Sequence, residues 1–514
     1  ISMMPYQKND ILVASLKSGI LVFSQGNQPR LTKPDGFEKI NRFLLDNIAY
    51  SSCQVSTGVY AIGTITGGII VFTSKGEILN IYNKSNGLQD NSVYWIYSDI
   101  NQQLWVALDN GISNIQCNIP FTQYNDKCGL NGGTMCLKFF DGHFYVGTNQ
   151  NLFIQNEDGN FEPIEGTESQ NFSLFEARGK LLLANLSSIS EIKDKKAIPI
   201  ANTSYIGALS FSSIGGQPNL LITGALDGIY LLKYSGNQWT FSNYIRGFSK
   251  PAYKIDEDIN GNFWISTFLD LYKLRINNEH DSIISSQLCT TSHGLPSNYA
   301  MTFRLNSKKV VFCSEKGIYD YIESENRFVP DPDFEMLTGK VTQFIQIDNG
   351  DIYFEQVMPD RSYEKGVLRF ANGKYKMNKT AFYKFDDISS GDCPYNICAS
   401  PNGTIFMGTG NGLLQYNPLI EPNFNVPYNT LIRKVYANDS LLFGGENLNY
   451  PHALKVDGRS IPYSFNNIVF HFASTSYEDA ENNHYSYRLI GSDKNWSAWS
   501  SDTKKEYTNL PEGR

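Results

Sequence analysis

Most of the features that usually identify a protein are missing from this sequence. Apolar residues do not recur at helical spacing over any long window, so helices are nearly excluded. No apolar run approaches the ~18 residues that a membrane-spanning helix needs. No basic run is longer than Lys195-Lys196 or Lys504-Lys505, and the formal net charge is -8. A nucleic-acid groove needs clustered Lys and Arg, so nucleic acid is not a partner of this region. Only six His occur, with no HxH or HExxH, and there is no GxSxG and no P-loop. Eight Cys lie at 53, 117, 128, 136, 289, 313, 393 and 398, none in CxxC and none at zinc-ligand spacing. No metal, cofactor or catalytic residue is expected. Cys117, Cys128 and Cys136 are close enough in sequence for a local disulfide, but small buried side chains are the favoured reading. The opening "ISMMPYQKND" has no charged and apolar leader, and the chain ends at "NLPEGR" inside a strand-turn pattern. The chain therefore reads as an excerpt, with any targeting or membrane segment outside it.

What is present is β pattern. Hydrophobic residues make up 41% and aromatics 13%, ample for a packed core. Short apolar or alternating runs are separated by Gly, Asn, Asp and Ser. One unit recurs: a short strand, a small-residue turn, then Gly and an aliphatic residue opening the next strand. It reads "ILVASLKSGILVF" (11–23), "VYAIGTITGGIIVF" (59–72), "LWVALDNGISNI" (104–115), "LLITGALDGIYLL" (220–232), "VVFCSEKGIYDY" (310–321) and "TIFMGTGNGLLQY" (404–416). A weaker copy, with an inserted loop at 357–365, covers 352–370. The turn glycines are Gly19, Gly68, Gly111, Gly228, Gly317, Gly366 and Gly412. The two wide gaps hide three more copies, at 144–154, 181–192 and 263–274, with Asn151, Ser188 and Asp270 in place of Gly.

Ten β-repeats of roughly 40–50 residues have the length of propeller blades. The turn between two inner strands calls for positive φ, which Gly adopts freely and which Asn and Asp tolerate next best. The small residues Gly63, Ala107, Gly147, Ala184 and Gly408 fit a strand near the crowded centre. Ten blades exceed the usual ring, so two propellers are expected. "NIPFTQYNDKCGLNGG" (118–133) breaks the rhythm. Residues 1–118 then read as the last three blades of an N-terminal propeller and 119–420 as a complete seven-bladed one. After a linker at 421–430 the repeat stops. Runs at 431–443, 467–477, 484–491 and 505–513 read as strands of an immunoglobulin-like β-sandwich, truncated at its C-terminal end. The fold class is all-β.

These residues resemble a known combination. "DEDINGNFWIST" (256–267) and "SPNGTIFMGTGNGLLQY" (400–416) resemble the two-component-regulator propeller repeat, and "SNGLQDNSVYWIYSD" (85–99) and "SHGLPSNYAMTF" (292–303) its N-G-L segment. The C-terminal part resembles the three-tyrosine (Y_Y_Y) domain. It has Phe470, Phe472, Ala473 and Tyr477, then Tyr485, Tyr487, Arg488, Leu489, Gly491, Asp493 and Trp496, then Tyr507, Asn509, Leu510, Pro511 and Gly513. Of these, Tyr477, Tyr485, Tyr487, Gly491, Trp496, Tyr507 and Gly513 are the signature positions, with structural roles. The resemblance implies the periplasmic sensor region of a transmembrane signalling receptor of the Bacteroidetes hybrid two-component or one-component type. It implies a small-molecule or oligosaccharide ligand, a homodimer, and membrane attachment only through a downstream helix outside this sequence. This region would not be an enzyme; a histidine kinase or other output module would lie downstream.

Two rivals are weighed against this. A secreted propeller enzyme acting on glycans needs convergent acids, His or metal, and the acid clusters "DEDINGN" (256–262) and "EDAEN" (478–482) read as solvated turns. The Asp256/Asn260/Gly261/Trp264 turn is similar to a sialidase Asp-box, itself a structural turn. A protein-interaction scaffold of WD type lacks its WD and GH signals. Trp105 and Trp264 read as structural, and Trp95 and Trp239 are left open. Tyr485, Tyr487 and Leu489 alternate on one strand face, with Trp496 or Trp499 expected to pack on it. No ligand residue is singled out, and the search falls on the propeller loops.

Overall fold

The computed structural model describes residues 2–7, 9–24, 28–117, 119–156, 159–202, 207–347, 349–382, 396–401, 403–418, 420, 427–444, 461–477 and 480–512. The chain forms two compact units, Ile1–Pro422 and Asn423–Arg514. Among the described residues the first unit holds ten antiparallel sheets that follow chain order. Sheets 1 to 3 span 2–32, 49–82 and 93–116. Sheets 4 to 10 span 134–163, 171–202, 208–244, 254–289, 301–330, 340–378 and 397–416. Nine sheets have four strands, and sheet 3 has three. The fourth strand of sheet 10 comes from the far end of its series: Phe121–Tyr124 pairs with Gly412–Tyr416, Phe121 opposite Tyr416.

Sheets 4 to 10 are joined in a cycle. The first strand of each touches the first strand of the next, and that of sheet 10 returns to sheet 4. A hydrophobic cluster fills each of the seven interfaces. The closing cluster places Phe406 and Leu413 of sheet 10 with Leu137, Phe144 and Phe161 of sheet 4. Burying an aliphatic or aromatic side chain contributes about 1.5–3 kcal/mol, so the unit is a β-propeller held by its inter-blade cores. Sheets 1 and 2, and sheets 2 and 3, share cores of the same kind. The one α-helix among the described residues, Glu38–Asn47, links sheets 1 and 2 and buries Ile40 and Leu44. Asn41 Oδ1 accepts from Ile20 N at 2.7 Å. This helix is not visible as long periodicity because it is three turns long with few apolar residues.

The recurring motif is the second and third strands of each sheet, the two inner strands of the four-stranded order. Six of the seven turn glycines have left-handed φ, from 69° at Gly19 to 148° at Gly228. At Gly412 and Gly317 space is limiting as well. A Cβ would strike the carbonyl oxygen of Tyr124 or of Leu337. Gly366 is not a turn residue. It lies inside the strand Tyr363–Ala371, opposite Phe354. The turn of that hairpin is the inserted loop, where Arg361 takes φ 71° and Ser362 N donates to Asp360 Oδ1. At Gly366 a Cβ would meet the Asn378 carbonyl oxygen at 2.8 Å, so packing selects the glycine.

Asn151, Ser188 and Asp270 do not take left-handed φ either. Their turns are held by the last residue of the second strand or the one just after it. Thr148 Oγ1 accepts from Gln150 N and Asn151 N, Asn185 Oδ1 from Ser187 N and Ser188 N, and Thr267 Oγ1 from Leu269 N and Asp270 N. A side-chain acceptor that satisfies two turn amides removes the need for a left-handed residue. The small residues before the turns do sit in crowded places. A Cβ on Gly147 would collide with Cys136 of its own first strand and Asn171 of the next sheet, and one on Gly408 with Asn396 and with Thr134 of the next sheet.

In the second unit one four-stranded sheet runs in the order Ser440–Gly444, Thr430–Ala437, Ile468–Ser474, Lys504–Tyr507. The run at 431–443 is thus two strands joined by a turn with Asn438 at φ 49°. The run at 484–491 is not a strand. Among the described residues its one ladder contact is the bridge Tyr485↔Ser500. The alternation survives in burial, since Tyr485 is buried and Tyr487 and Leu489 are half-buried. Tyr485 packs on Phe472 at 5.2 Å between centroids. Trp496 and Trp499 do not pack on that face, being 65% and 73% exposed.

Candidate functional site

In a four-stranded meander the second-to-third turn lies at the end where the first strand begins. Turns and inter-sheet links therefore share one face, and hydrogen bonds join them around the ring. Ala252 N donates to Ala225 O, Leu271 N to Asn298 O, Gly317 N to Gly339 O and Gly412 N to Gly132 O. Each pair ties the turn of one sheet to the link entering the next.

Three consecutive sheets place apolar side chains on this face. Leu186, Leu226, Phe268 and Leu269, in the turns of sheets 5, 6 and 7, are all exposed, Leu269 at 76%. Leu186 and Leu226 converge on Gly207, where a Cβ would come within 3.0 Å of both side chains. The Phe268 ring lies on Tyr253 of the link that enters its own sheet, centroids 4.7 Å apart and planes at 37°. Further round, Lys340 Nζ sits 4.9 Å from the Tyr299 ring centroid. Lys254 Nζ is 3.9 Å from Asp256 Oδ2 and 4.6 Å from the Phe303 centroid. The result is an apolar crescent with cation-aromatic pairs at one end. Grouped exposed apolar side chains on a polar surface mark contact sites. The signal was present in sequence: "NLSS", "ALDG" and "TFLD" put Leu or Phe at a turn position that other repeats fill with Lys17, Thr66, Asp109, Asn149, Glu315 or Gly410.

The remaining candidates fall elsewhere. Trp264 is fully buried, and its Nε1 donates to Asp258 Oδ2 at 2.8 Å. Asp258 Oδ1 also accepts from Asn260 N and Asn262 N, so Asp258 and not Asp256 holds this turn. Asp256 instead accepts from Thr302 Oγ1 at 2.7 Å. Trp105 repeats the arrangement with Asp99 at 3.0 Å. Trp239 is buried, and Trp95 is exposed on the first strand of sheet 3. Among the described residues no group of His, Cys, Asp and Glu could hold a metal. Glu257 has its carboxyl raised by burial, and its Oε2 accepts from Gly215 N at 2.6 Å. Burial also raises Cys53 to about 12 and Cys117 to about 11, which makes them poor nucleophiles. Among the described residues Cys117 and Cys128 are free thiols, Cys136 Sγ donates to Asn171 O at 3.3 Å, and Cys393 lies outside those residues.

In the second unit the signature residues divide into two groups. Tyr485 OH accepts from Ser474 N at 3.0 Å. Tyr507 OH donates to Asp493 Oδ2 at 2.5 Å, and the same oxygen accepts from Leu489 N at 2.7 Å. These hydrogen bonds hold the Asp493 carboxyl below the usual range, that of Leu489 N first and that of Tyr507 second. Lys505 Nζ lies 5.1 Å from both the Tyr487 and the Tyr507 centroids. Gly491 makes the turn with φ 92°. Tyr477 and Trp496 are exposed. Gly513 lies outside the described residues.

Residues 476–514 match the model of the Y_Y_Y domain. No curated protein matches the chain. Among solved structures, the whole chain aligns with 69% of the extracellular domain of a hybrid two-component system from B. thetaiotaomicron, at 16% identity and TM-score 0.61. A second such domain from the same organism aligns over 99% of this chain and 71% of its own length, at 15% identity and TM-score 0.43. At that identity the first likeness is one of fold. No helix among the described residues is long and apolar enough to cross a membrane.

Proposed function

We propose that this chain is the extracytoplasmic, ligand-sensing and signal-transmitting region of a bacterial transmembrane receptor. What supports it is the order of parts along the chain, propeller sheets and then residues that match a Y_Y_Y domain, together with the likeness in fold to a protein described as the extracellular domain of a hybrid two-component system. Residues 1–118 act as the end of one propeller and 119–420 as a seven-bladed ring. After the linker at 421–430, residues 431–514 are the module that passes the signal on, in a periplasmic homodimer.

The ligand site is the crescent of Leu186, Leu226, Tyr253, Phe268 and Leu269. An oligosaccharide is the class that suits it. Sugar CH groups stack on rings, and hydroxyls need directional partners beside them. Ligand shifts a signalling equilibrium only through unequal affinity for its two states.

A thermal-shift screen of the 514-residue chain against a panel of soluble oligosaccharides tests this. At least one glycan should raise the melting temperature in a saturable way. Phe268→Ala should weaken that binding about tenfold. A panel with no hit, or a hit indifferent to Phe268→Ala and Leu269→Ser, overturns the site. Cleavage of the bound glycan would favour the enzyme reading.

A further inference from the structure

Among the described residues sheet 3 has no outer strand, and the rest of the molecule points to what belongs there. Three links share one form: Asn83–Leu88, Asn125–Leu130 and Thr290–Leu295. Each has a 3-10 turn with a capping box, a left-handed glycine and a buried leucine. In two of them the glycine lies against the outer strand of the sheet that follows. A Cβ on Gly129 would strike the Phe161 carbonyl oxygen, and one on Gly294 that of Phe328. Phe161 shares a core cluster with Leu130, and Phe328 shares one with Leu295. At the third link, Gly87 has open space above it. The sheet that follows it is sheet 3, whose last strand Gly111–Gln116 pairs with no described strand on its outer side.

The register of the missing strand can be read from the occupied sheets. Phe161 stands opposite Gln155, Phe328 opposite Tyr321 and Phe121 opposite Tyr416. Each partner is the fourth residue after the turn position, which is Asn151, Gly317 or Gly412. The corresponding residue in sheet 3 is Ile115, four after Gly111. Beside it, Asn114 Nδ2 is buried with no hydrogen-bond partner. Sheet 10 shows the origin of such a strand, since Phe121–Tyr124 precedes sheet 4 in the chain and pairs on the last sheet of the series.

We propose that Gly111–Gln116 is a docking edge for a β-strand of this same protein. That strand is antiparallel, lies upstream of sheet 1, and carries an aromatic residue opposite Ile115 beneath Gly87. It would close the first propeller as Phe121–Tyr124 closes the second. The proposal rests on reading sheets 1 to 3 as part of a propeller and is independent of the ligand face.

The probe is a synthetic peptide of residues 119–126, "IPFTQYND", which already performs this role on sheet 10. Amide hydrogen exchange of the 514-residue chain is followed with and without it. Exchange at Gly111–Ile115 should slow about tenfold or more at saturation, as expected for amides entering a ladder. Gly412–Tyr416, already paired, should not change. A peptide with Ser in place of its Phe should bind at least about tenfold more weakly. No slowing up to millimolar peptide overturns the proposal, as does equal binding of the Ser peptide or protection at Gly412–Tyr416 alone. If light scattering finds a dimer whose Gly111–Ile115 amides are protected without peptide, a second copy holds the edge and the proposal fails.

Discussion

Sheets 3 and 10 are written in nearly the same text and end in different states. Each has the strand, turn and glycine of the repeat, in "LWVALDNGISNI" and "IFMGTGNGLLQY". The residue after the turn glycine is Leu413 in one, fully buried, and Ile112 in the other, 71% exposed. Among the described residues, sheet 10 has an outer strand and neighbours on both faces, whereas sheet 3 has a core neighbour on one face and no strand on its outer edge. The motif therefore sets the hairpin, and the company it keeps sets the burial. Cost of mutation should follow company rather than motif.

The largest contrast should come from the two tryptophans. Trp264 is enclosed by Phe312, Tyr321 and Phe328 and bonded to Asp258. Trp264→Ala should cost about 3–5 kcal/mol, as large aromatic truncations in closed cores do. Trp105 has the same partner type in Asp99 but is only half-buried. Trp105→Ala should cost roughly 1–2 kcal/mol. Urea unfolding followed by hydrogen exchange at each sheet measures both, and equal losses would break the comparison.

The turn glycines give a smaller contrast. Both Gly412 and Gly111 have left-handed φ, 100° and 95°. Alanine pays about 1–2 kcal/mol for that conformation at either site. At Gly412 its Cβ also meets the backbone of Tyr124, which cannot move without opening the closing strand. At Gly111 it meets only the end of the Gln89 side chain, 3.3 Å away. Gly412→Ala should therefore cost about 3 kcal/mol or more, adding an overpacking penalty to the strain. Gly111→Ala should cost about 1 kcal/mol. The difference should appear in the exchange of sheet 10 amides, and binding of the closing peptide to sheet 3 should enlarge the Gly111→Ala effect.

The same division explains what could be read from sequence. The repeat was legible because its period and its turn chemistry are local. Strand-turn-strand text at 11–23 or 404–416 needs no partner to be recognised. The error at Gly366 arose because a glycine chosen for space, against Phe354 and Asn378, looks in sequence like one chosen for φ. At Asn151 and Asp270 the capping hydroxyls of Thr148 and Thr267 had taken over the glycine's role, and only coordinates show an acceptor's aim. The crescent was missed because Leu186 and Leu226 come together only when neighbouring sheets are placed. In the second unit the rings of Tyr485 and Tyr487 both lie near Phe472, a partner that their alternation in sequence does not name. Trp496 and Trp499 stay exposed, and nothing local in the sequence distinguishes them from tryptophans that pack.

The smallest effect is expected where a turn has least cover. Asp258 holds its turn against the closed core of sheet 7, whereas Asp493 holds Leu489 N and Tyr507 OH at an open turn of the second unit. The folded-state carboxyl of Asp493 lies below its ordinary value. A carboxyl depressed by folding adds stability above its unfolded pKa, near 3.9, and that stability is lost as pH falls through the folded pKa. Tyr507→Phe removes one of the two hydrogen bonds to Oδ2. The Asp493 midpoint should then rise toward its ordinary value, and acid should remove less stability from this unit than in the parent chain. Carbon NMR titration of the carboxyl, with Tyr507→Phe beside the parent, measures the midpoint directly. If it does not move, the backbone amide of Leu489 alone sets the carboxyl, and the tyrosine hydroxyl of the Y_Y_Y signature serves only to fill space.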